Sequence, residues 1–128
     1  VNLALDAEFK GAMGVVVNSP TSNDVLKKIR ETIDIPVIVT VISEYENISE
    51  RIQSGATIFN VSGGKNTPNI IKRIRKEFPE FPIIATGGPT IESILRTIEA
   101  GANAITYTPP PSGDVMGDLM DKYREQNK

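Results

Sequence analysis

Two kinds of apolar pattern alternate along the chain. One is a short continuous run, as in GVVVN (14–18), VIVTVI (37–42), Thr57 to Val61, PIIAT (82–86) and AITYT (104–108). Runs of this length bounded by turn residues predict strands buried on both faces. In the other pattern, apolar residues return every three or four positions. Val25, Leu26, Ile29 and Ile33 do so in DVLKKIRETI, Ile48 and Ile52 before Gly55, and Ile70, Ile71 and Ile74 after Pro68. IESILRTIEA (91–100) and a last segment carrying Val115, Leu119 and Tyr123 continue the series. These are amphipathic helices. Residues 2–10, with Leu3, Leu5 and Phe9 among charges and Gly11 as stop, predict another. Ser43 or Glu44 is the expected start of the helix that ends at Gly55.

The punctuation repeats. Gly11-Ala12, Gly55-Ala56 and Gly101-Ala102 each close a helix and open a strand, in GAMGVVVNSP, GATIFNVSGG and GANAITYTPP. The copies stand 44 and 46 residues apart, and Pro36 and Pro82, which start the intervening strands, are also 46 apart. A period that holds two strands and two helices predicts an array of βα units. The fold expected is therefore α/β, repeated βα units with a parallel sheet, in the manner of a partial TIM barrel of about five strands. The alternative is a flavodoxin-like open sheet. In either case right-handed crossovers collect the outgoing loops on one edge, where such folds bind ligands. That edge holds Asn18-Ser19, Ser43-Glu44, Ser62-Gly63-Gly64-Lys65, Thr86-Gly87-Gly88 and Thr106 to Ser112.

Composition narrows the chemistry. The 128 residues fit one domain, residues 1–128, and contain neither cysteine nor histidine. Thiolate nucleophiles, Ser-His triads and the commonest metal ligands are thereby excluded. The net charge of −2 gives no electrostatic reason to expect nucleic acid. The basic run Lys72 to Lys76 reads as the wet side of a helix. No segment approaches the roughly 20 apolar residues that span a bilayer, and a cytoplasmic location is the default expectation. A start on Val1 and on a helix is what a segment of a longer barrel would show.

The candidate chemistry lies in the loops. Gly87-Gly88 lets a backbone approach a ligand closely and leads into a helix whose first N–H groups suit a phosphate. Ser62-Gly63-Gly64-Lys65 repeats the idea with a cation, although the spacing of a P-loop is absent. Lys65 is a candidate phosphate ligand or Schiff-base amine, and Glu44, with Glu46 nearby, a candidate base. Thr86 offers a hydroxyl, and so does Ser19 in the loop Ser19-Pro20-Thr21-Ser22-Asn23, which in an open sheet would receive a mononucleotide phosphate. Asp114 and Asp118 read as helix-start and solvent carboxylates, and no metal or cofactor is expected. Thr40, Asn60 and Thr106 interrupt apolar strands, either pointing into the centre of a barrel or standing as locally satisfied polar groups of the core.

FPIIATGGPTIESILRTIEAGANAITYTPP (81–110) combines a Pro-containing strand, a Gly-rich turn, a helix ending Ala-Gly-Ala and a strand ending in Pro. In that order it resembles the fifth-to-sixth-strand region of the 2-keto-3-deoxy-6-phosphogluconate aldolase family, one of the phosphate-binding (βα)8 barrels. A second register, with Gly87-Gly88 as a seventh-strand phosphate turn, fits as well. The resemblance implies an enzyme of the aldolase/phosphosugar-barrel kind, a lyase or isomerase acting on a small phosphorylated or keto-acid metabolite. Gly63, Gly64, Gly87 and Gly88 would hold phosphate, with Lys65, Ser62 and Thr86 beside it. The family's Schiff-base lysine falls where this sequence has Thr106 or a neighbour. The shortage of strand-end acids and bases keeps a non-catalytic phosphate- or mononucleotide-binding module as the alternative. Five strands cannot close an eight-stranded barrel, which leaves missing strands, an open sheet or a homo-oligomer.

Overall fold

The computed structural model describes residues 1–107 and 114–126, with the backbone alone at residues 114–116 and 118. The chain runs α1 (Asn2–Phe9), β1 (Val15–Val17), α2 (Asn23–Thr32), β2 (Val37–Val41), α3 (Ile48–Gln53), β3 (Ile58–Val61), α4 (Thr67–Glu77), β4 (Ile83–Thr86), α5 (Ile91–Ala100), β5 (Ala104–Thr106) and α6 (Asp114–Gln126). A short 3-10 turn, Gly64–Asn66, precedes α4.

All five strands are parallel and lie in chain order, β1-β2-β3-β4-β5. This order decides between the two expected architectures. A flavodoxin-like sheet reverses direction partway and places helices on both faces. Here the order never reverses, so right-handed crossovers stack every intervening helix on one face. The flavodoxin-like alternative is therefore set aside in favour of a partial, TIM-barrel-like array.

Burial follows from that arrangement. Val37, Val39 and Val41 in β2, Phe59 and Val61 in β3, and Ile83 and Ala85 in β4 are buried under the helices. Leu26 and Ile29 of α2 and Ile70, Ile71 and Ile74 of α4 meet them. The alternate residues face the other way. Ile38, Thr40, Ile58, Asn60 and Ile84 are half-buried, and Val16, Thr86, Ala104 and Thr106 are exposed. No described strand residue is charged, so this uncovered face is apolar with a polar margin. Thr40, Asn60 and Thr106 lie on it, as a barrel interior requires, and Asn60 Nδ2 donates to Thr40 Oγ1 at 3.5 Å.

The sequence repeat is repeated in three dimensions, down to single hydrogen bonds. Ala12, Ala56 and Ala102 N–H each donate to the carbonyl five residues back, at Ala7, Arg51 and Thr97. The glycines before them have φ of 94, 117 and 120°, the left-handed helix stop that glycine takes at least cost. Val15 N–H donates to Pro36 O and Phe59 N–H to Pro82 O, the same bond one period apart. Val37 N–H donates to Thr57 Oγ1, and its counterpart Ile83 N–H to Asn103 Oδ1.

Two expectations about helices are corrected. α1 buries Ala4, whereas Leu3 is 86% and Phe9 90% exposed. Its three large apolar residues do not share a stripe, and Glu8 turns inward to accept the Asp34 and Ile35 N–H groups. α3 begins at Ile48 under an Asn47 cap, not at Ser43 or Glu44. The Ser43 hydroxyl instead accepts from Tyr45 N–H and holds a turn.

Candidate functional site

Two loops of the carboxyl edge close on a single cavity. The turn after β4 carries Thr86, Gly87, Gly88 and Pro89, and the loop after β3 carries Gly64 and Lys65. Together with Pro68, Thr90, Ser93, Arg96 and Thr97 they line about 550 Å³ between the starts of α4 and α5. Ser62 and Gly63 stand just behind, where Thr86 Oγ1 donates to Ser62 Oγ at 3.2 Å.

The four glycines are there for two different reasons. Gly88 has φ +82°, and Gly64 φ +61°. Gly87 and Gly63 have ordinary backbone but no room, because a Cβ on Gly87 would press on Ile105 and Ile94 and one on Gly63 on Ile70. Close helix-to-strand packing accounts for Gly63 and Gly87 without a ligand. The positive φ of Gly88 turns the chain into the start of α5, where Thr90 caps the helix. Thr90 Oγ1 accepts from Ser93 N–H and Ser93 Oγ accepts from Thr90 N–H, a reciprocal capping box.

The cavity is cationic. Lys65 and Arg96 line it, and neither is in an ion pair or side-chain hydrogen bond among the described residues. No carboxylate lines it. Two exposed, uncompensated cations beside a helix start favour an anion. Arg96 and the Thr90–Ser93 cap escape sequence reasoning as site residues. Arg96 sits inside a regular helical pattern, and only the placement of α5 against the Lys65 loop turns it into a wall of the cavity.

Ser19 and Glu44 are not brought to this cavity. Ser19 belongs to a separate cluster built on Arg51, which is buried although charged. Arg51 donates to the carbonyls of Ser19 and Thr21, to Asn23 Oδ1 at 3.2 Å, and to Glu46 Oε1 at 3.0 Å. Ser19 Oγ approaches Glu46 Oε2 at 3.5 Å. The Arg51–Glu46 pair thus ties the loop after β1 to the loop after β2, with side chains only 10% and 14% exposed. Glu46 is a structural ion-pair partner, and Glu44, half-buried in the same loop, does not line the cavity. The loop Pro109 to Gly113 and the side chains of Asp114 and Asp118 lie outside the described residues. Among the described residues, no group of three acids or other metal-binding side chains comes together. No described helix is long and apolar enough to cross a membrane.

No family model and no curated protein matches the chain. Solved structures do. A phosphonopyruvate hydrolase in complex with oxalate and Mg²⁺ superposes with a TM-score of 0.70 at 16% identity, over 89% of this chain and 58% of its own. The inosine 5'-monophosphate dehydrogenase of Legionella pneumophila superposes with a TM-score of 0.66 at 23% identity, over 83% of this chain and 35% of its own. The chain thus spans little more than half the length of the first and about a third of the second. Both are TIM-barrel enzymes, and at these identities the likeness is one of fold. Five parallel strands in sequential order with helices on one face make this chain a partial barrel of that kind.

Proposed function

We propose that the carboxyl-edge cavity binds a small phosphorylated or keto-acid metabolite, and that the chain belongs to an enzyme of the aldolase/phosphosugar-barrel type. The observation that carries this reading is the convergence of Gly88, Lys65 and Arg96 on one cavity that no carboxylate lines. The Gly88 turn and the Ile91 and Glu92 N–H groups, which the capping box does not use, would receive the phosphoryl oxygens, with Lys65 and Arg96 adding charge. Thr86 would offer its hydroxyl at the sheet-side rim, and Ser62, which does not line the cavity, would act only through its hydrogen bond with Thr86. The names of the superposed enzymes, a phosphonopyruvate hydrolase and an inosine monophosphate dehydrogenase, support a phosphorylated or keto-acid ligand class. Of the groups in the cavity only the Lys65 amine has the chemistry for Schiff-base or proton-transfer work.

The test is a thermal-shift screen against phosphate, keto-sugar phosphates and short 2-keto acids, run on the chain and on Lys65→Ala. A ligand at 100 times its Kd stabilises the fold by about 2.7 kcal/mol. A shift seen with the chain and reduced in Lys65→Ala supports the reading; no shift with any of the compounds rejects it. A second reading, a phosphate-binding module without catalysis, is favoured by the absence of an acid or base other than Lys65 in the cavity. Ligand stabilisation without retro-aldol or isomerase turnover selects it.

A further inference from the structure

The cavity at the Gly88 turn does not end at Arg96. A second hollow of about 500 Å³ continues between α4 and α5, and Lys65, Pro68 and Arg96 line both. The continuation adds Lys72, Asn69 and Glu99. The whole is a groove running from the carboxyl edge down the outer surface between two helices, with three cations and one carboxylate on its walls.

The three cations are uncommitted, which sets them apart from their neighbours. Arg75 donates to the carbonyls of Gly101, Phe78, Pro79 and Phe81 and to Asn103 Oδ1. Arg73 reaches Glu46 O at 3.3 Å. Lys65, Lys72 and Arg96 take part in no ion pair or side-chain hydrogen bond among the described residues, even though Glu99 shares the lower hollow. Their placement is paired. Lys72 stands five residues into α4 and Arg96 five residues into α5. At the α-helical rise each lies about 7–8 Å along its helix from the first residue. One cation on each wall therefore faces the lower hollow, a short carbon chain's length below the Gly88 turn.

We propose that this groove takes a small ligand with two anionic groups joined by a short carbon chain. The first is a phosphoryl group at Gly88 and Lys65; the second, a phosphoryl or a carboxylate, lies between Lys72 and Arg96. The inference rests on the phosphate reading of the Gly88 turn and adds the second anion, with Lys72 and Arg96 as its ligands. A ligand with a single anion at the Gly88 turn leaves Lys72 unused and Arg96, which lines both hollows, only partly engaged. A ligand with two anions neutralises both ends of the groove.

The test is a calorimetric titration of the chain at low ionic strength with three probes. These are glycerol 1-phosphate, with one anionic group; 3-phosphoglycerate, whose second anion is a carboxylate; and fructose 1,6-bisphosphate, whose second anion is a phosphoryl. At least one two-anion probe is expected to bind about tenfold tighter than glycerol 1-phosphate, and which one does so identifies the second group. Lys72→Ala, at an exposed position outside the core, is expected to abolish that advantage and leave glycerol 1-phosphate binding unchanged. Lys65→Ala is expected to weaken all three. Equal binding of all three probes, or an advantage that survives Lys72→Ala, overturns the two-anion groove while leaving the phosphate site standing. Failure of all three probes to bind overturns both.

Discussion

A Cβ on Gly87 would stand 2.6 Å from Ile105 Cγ2 and 2.8 Å from Ile94 Cγ1, both in the packed layer between α5 and the sheet. Gly87→Ala is therefore expected to lower stability by about 1–3 kcal/mol, read as a fall in Tm, with or without ligand. Gly88→Ala pays for a left-handed backbone instead, since φ is +82° and the added carbon would meet Ser93 Oγ at 2.6 Å. Loss of phosphate binding in either variant would say little about a ligand, whereas Lys65 is exposed and Lys65→Ala leaves the fold alone. The glycines were visible in the sequence; which of them packing alone requires was not, because the neighbours that forbid a side chain come from elements 7 to 18 residues away. Arg51 was invisible for a similar reason. It reads as one more charge on a helix, yet it is buried and bonds across 30 and 32 residues to Thr21 and Ser19. Arg51→Met leaves Glu46 without its cation and is expected to cost about 3–5 kcal/mol. In urea unfolding, the double variant Arg51→Met/Glu46→Gln should recover part of that loss, because the unpaired buried charge is then gone. Equal losses in the single and double variants would mean that Arg51 acts through its carbonyl bonds alone.

At the scale of elements, the readable helices are those whose boundaries carry local chemistry. α4 starts with Pro68 in its first turn, α2 with Ser22 accepting from Val25 N–H, and α5 lies between the Thr90 cap and the left-handed Gly101. α3 was misjudged at its start because Ser43 and Asn47 are both capping residues four positions apart. Only the structure assigns Ser43 to a turn and Asn47 to the helix, where Asn47 Oδ1 accepts from Glu50 N–H at 3.2 Å. Asn47→Ala is accordingly expected to destabilise by about 1 kcal/mol and Thr90→Ala by a similar amount. Ser43→Ala should cost only a few tenths. Thermal unfolding of the three variants orders them, and a Ser43→Ala loss as large as that of Asn47→Ala would return the helix start to Ser43. The helix α1 was legible, and its buried face was not. Leu5 and Phe9 stand one turn apart with Leu3 on the other side of the helix, all three exposed, while small Ala4 packs inward. Apolar identity without periodicity does not fix a face.

At the scale of the molecule, the number of strands and their parallel direction were legible, because continuous apolar runs separated by amphipathic helices admit little else. Strand order was not. Sequential and reversing sheets use the same run lengths and the same crossovers, and only the observed pairing of β1 with β2 and onward to β5 selects the barrel-like order. That order has a consequence for stability within the sheet. β2, β3 and β4 each bond to a strand on both sides, while β1 and β5 each bond on one side. Val39, Phe59, Val61 and Ala85 are also buried, whereas Val16, Ala104 and Thr106 are exposed. Amides that open only with the whole domain should therefore lie in β2, β3 and β4, and those of β1 and β5 should exchange through cheaper local opening. Hydrogen exchange followed by NMR reads this residue by residue. A gradient of protection from β3 outward is expected for a single copy with both sheet edges facing solvent. Protection in β1 or β5 equal to that in β3 would mean that the edge is paired. Because an edge strand is a ready template for another chain, repeating the exchange across a range of protein concentrations separates the cases. Edge protection that rises with concentration identifies a second copy as the covering strand, and edge protection independent of it contradicts the five-stranded sheet itself.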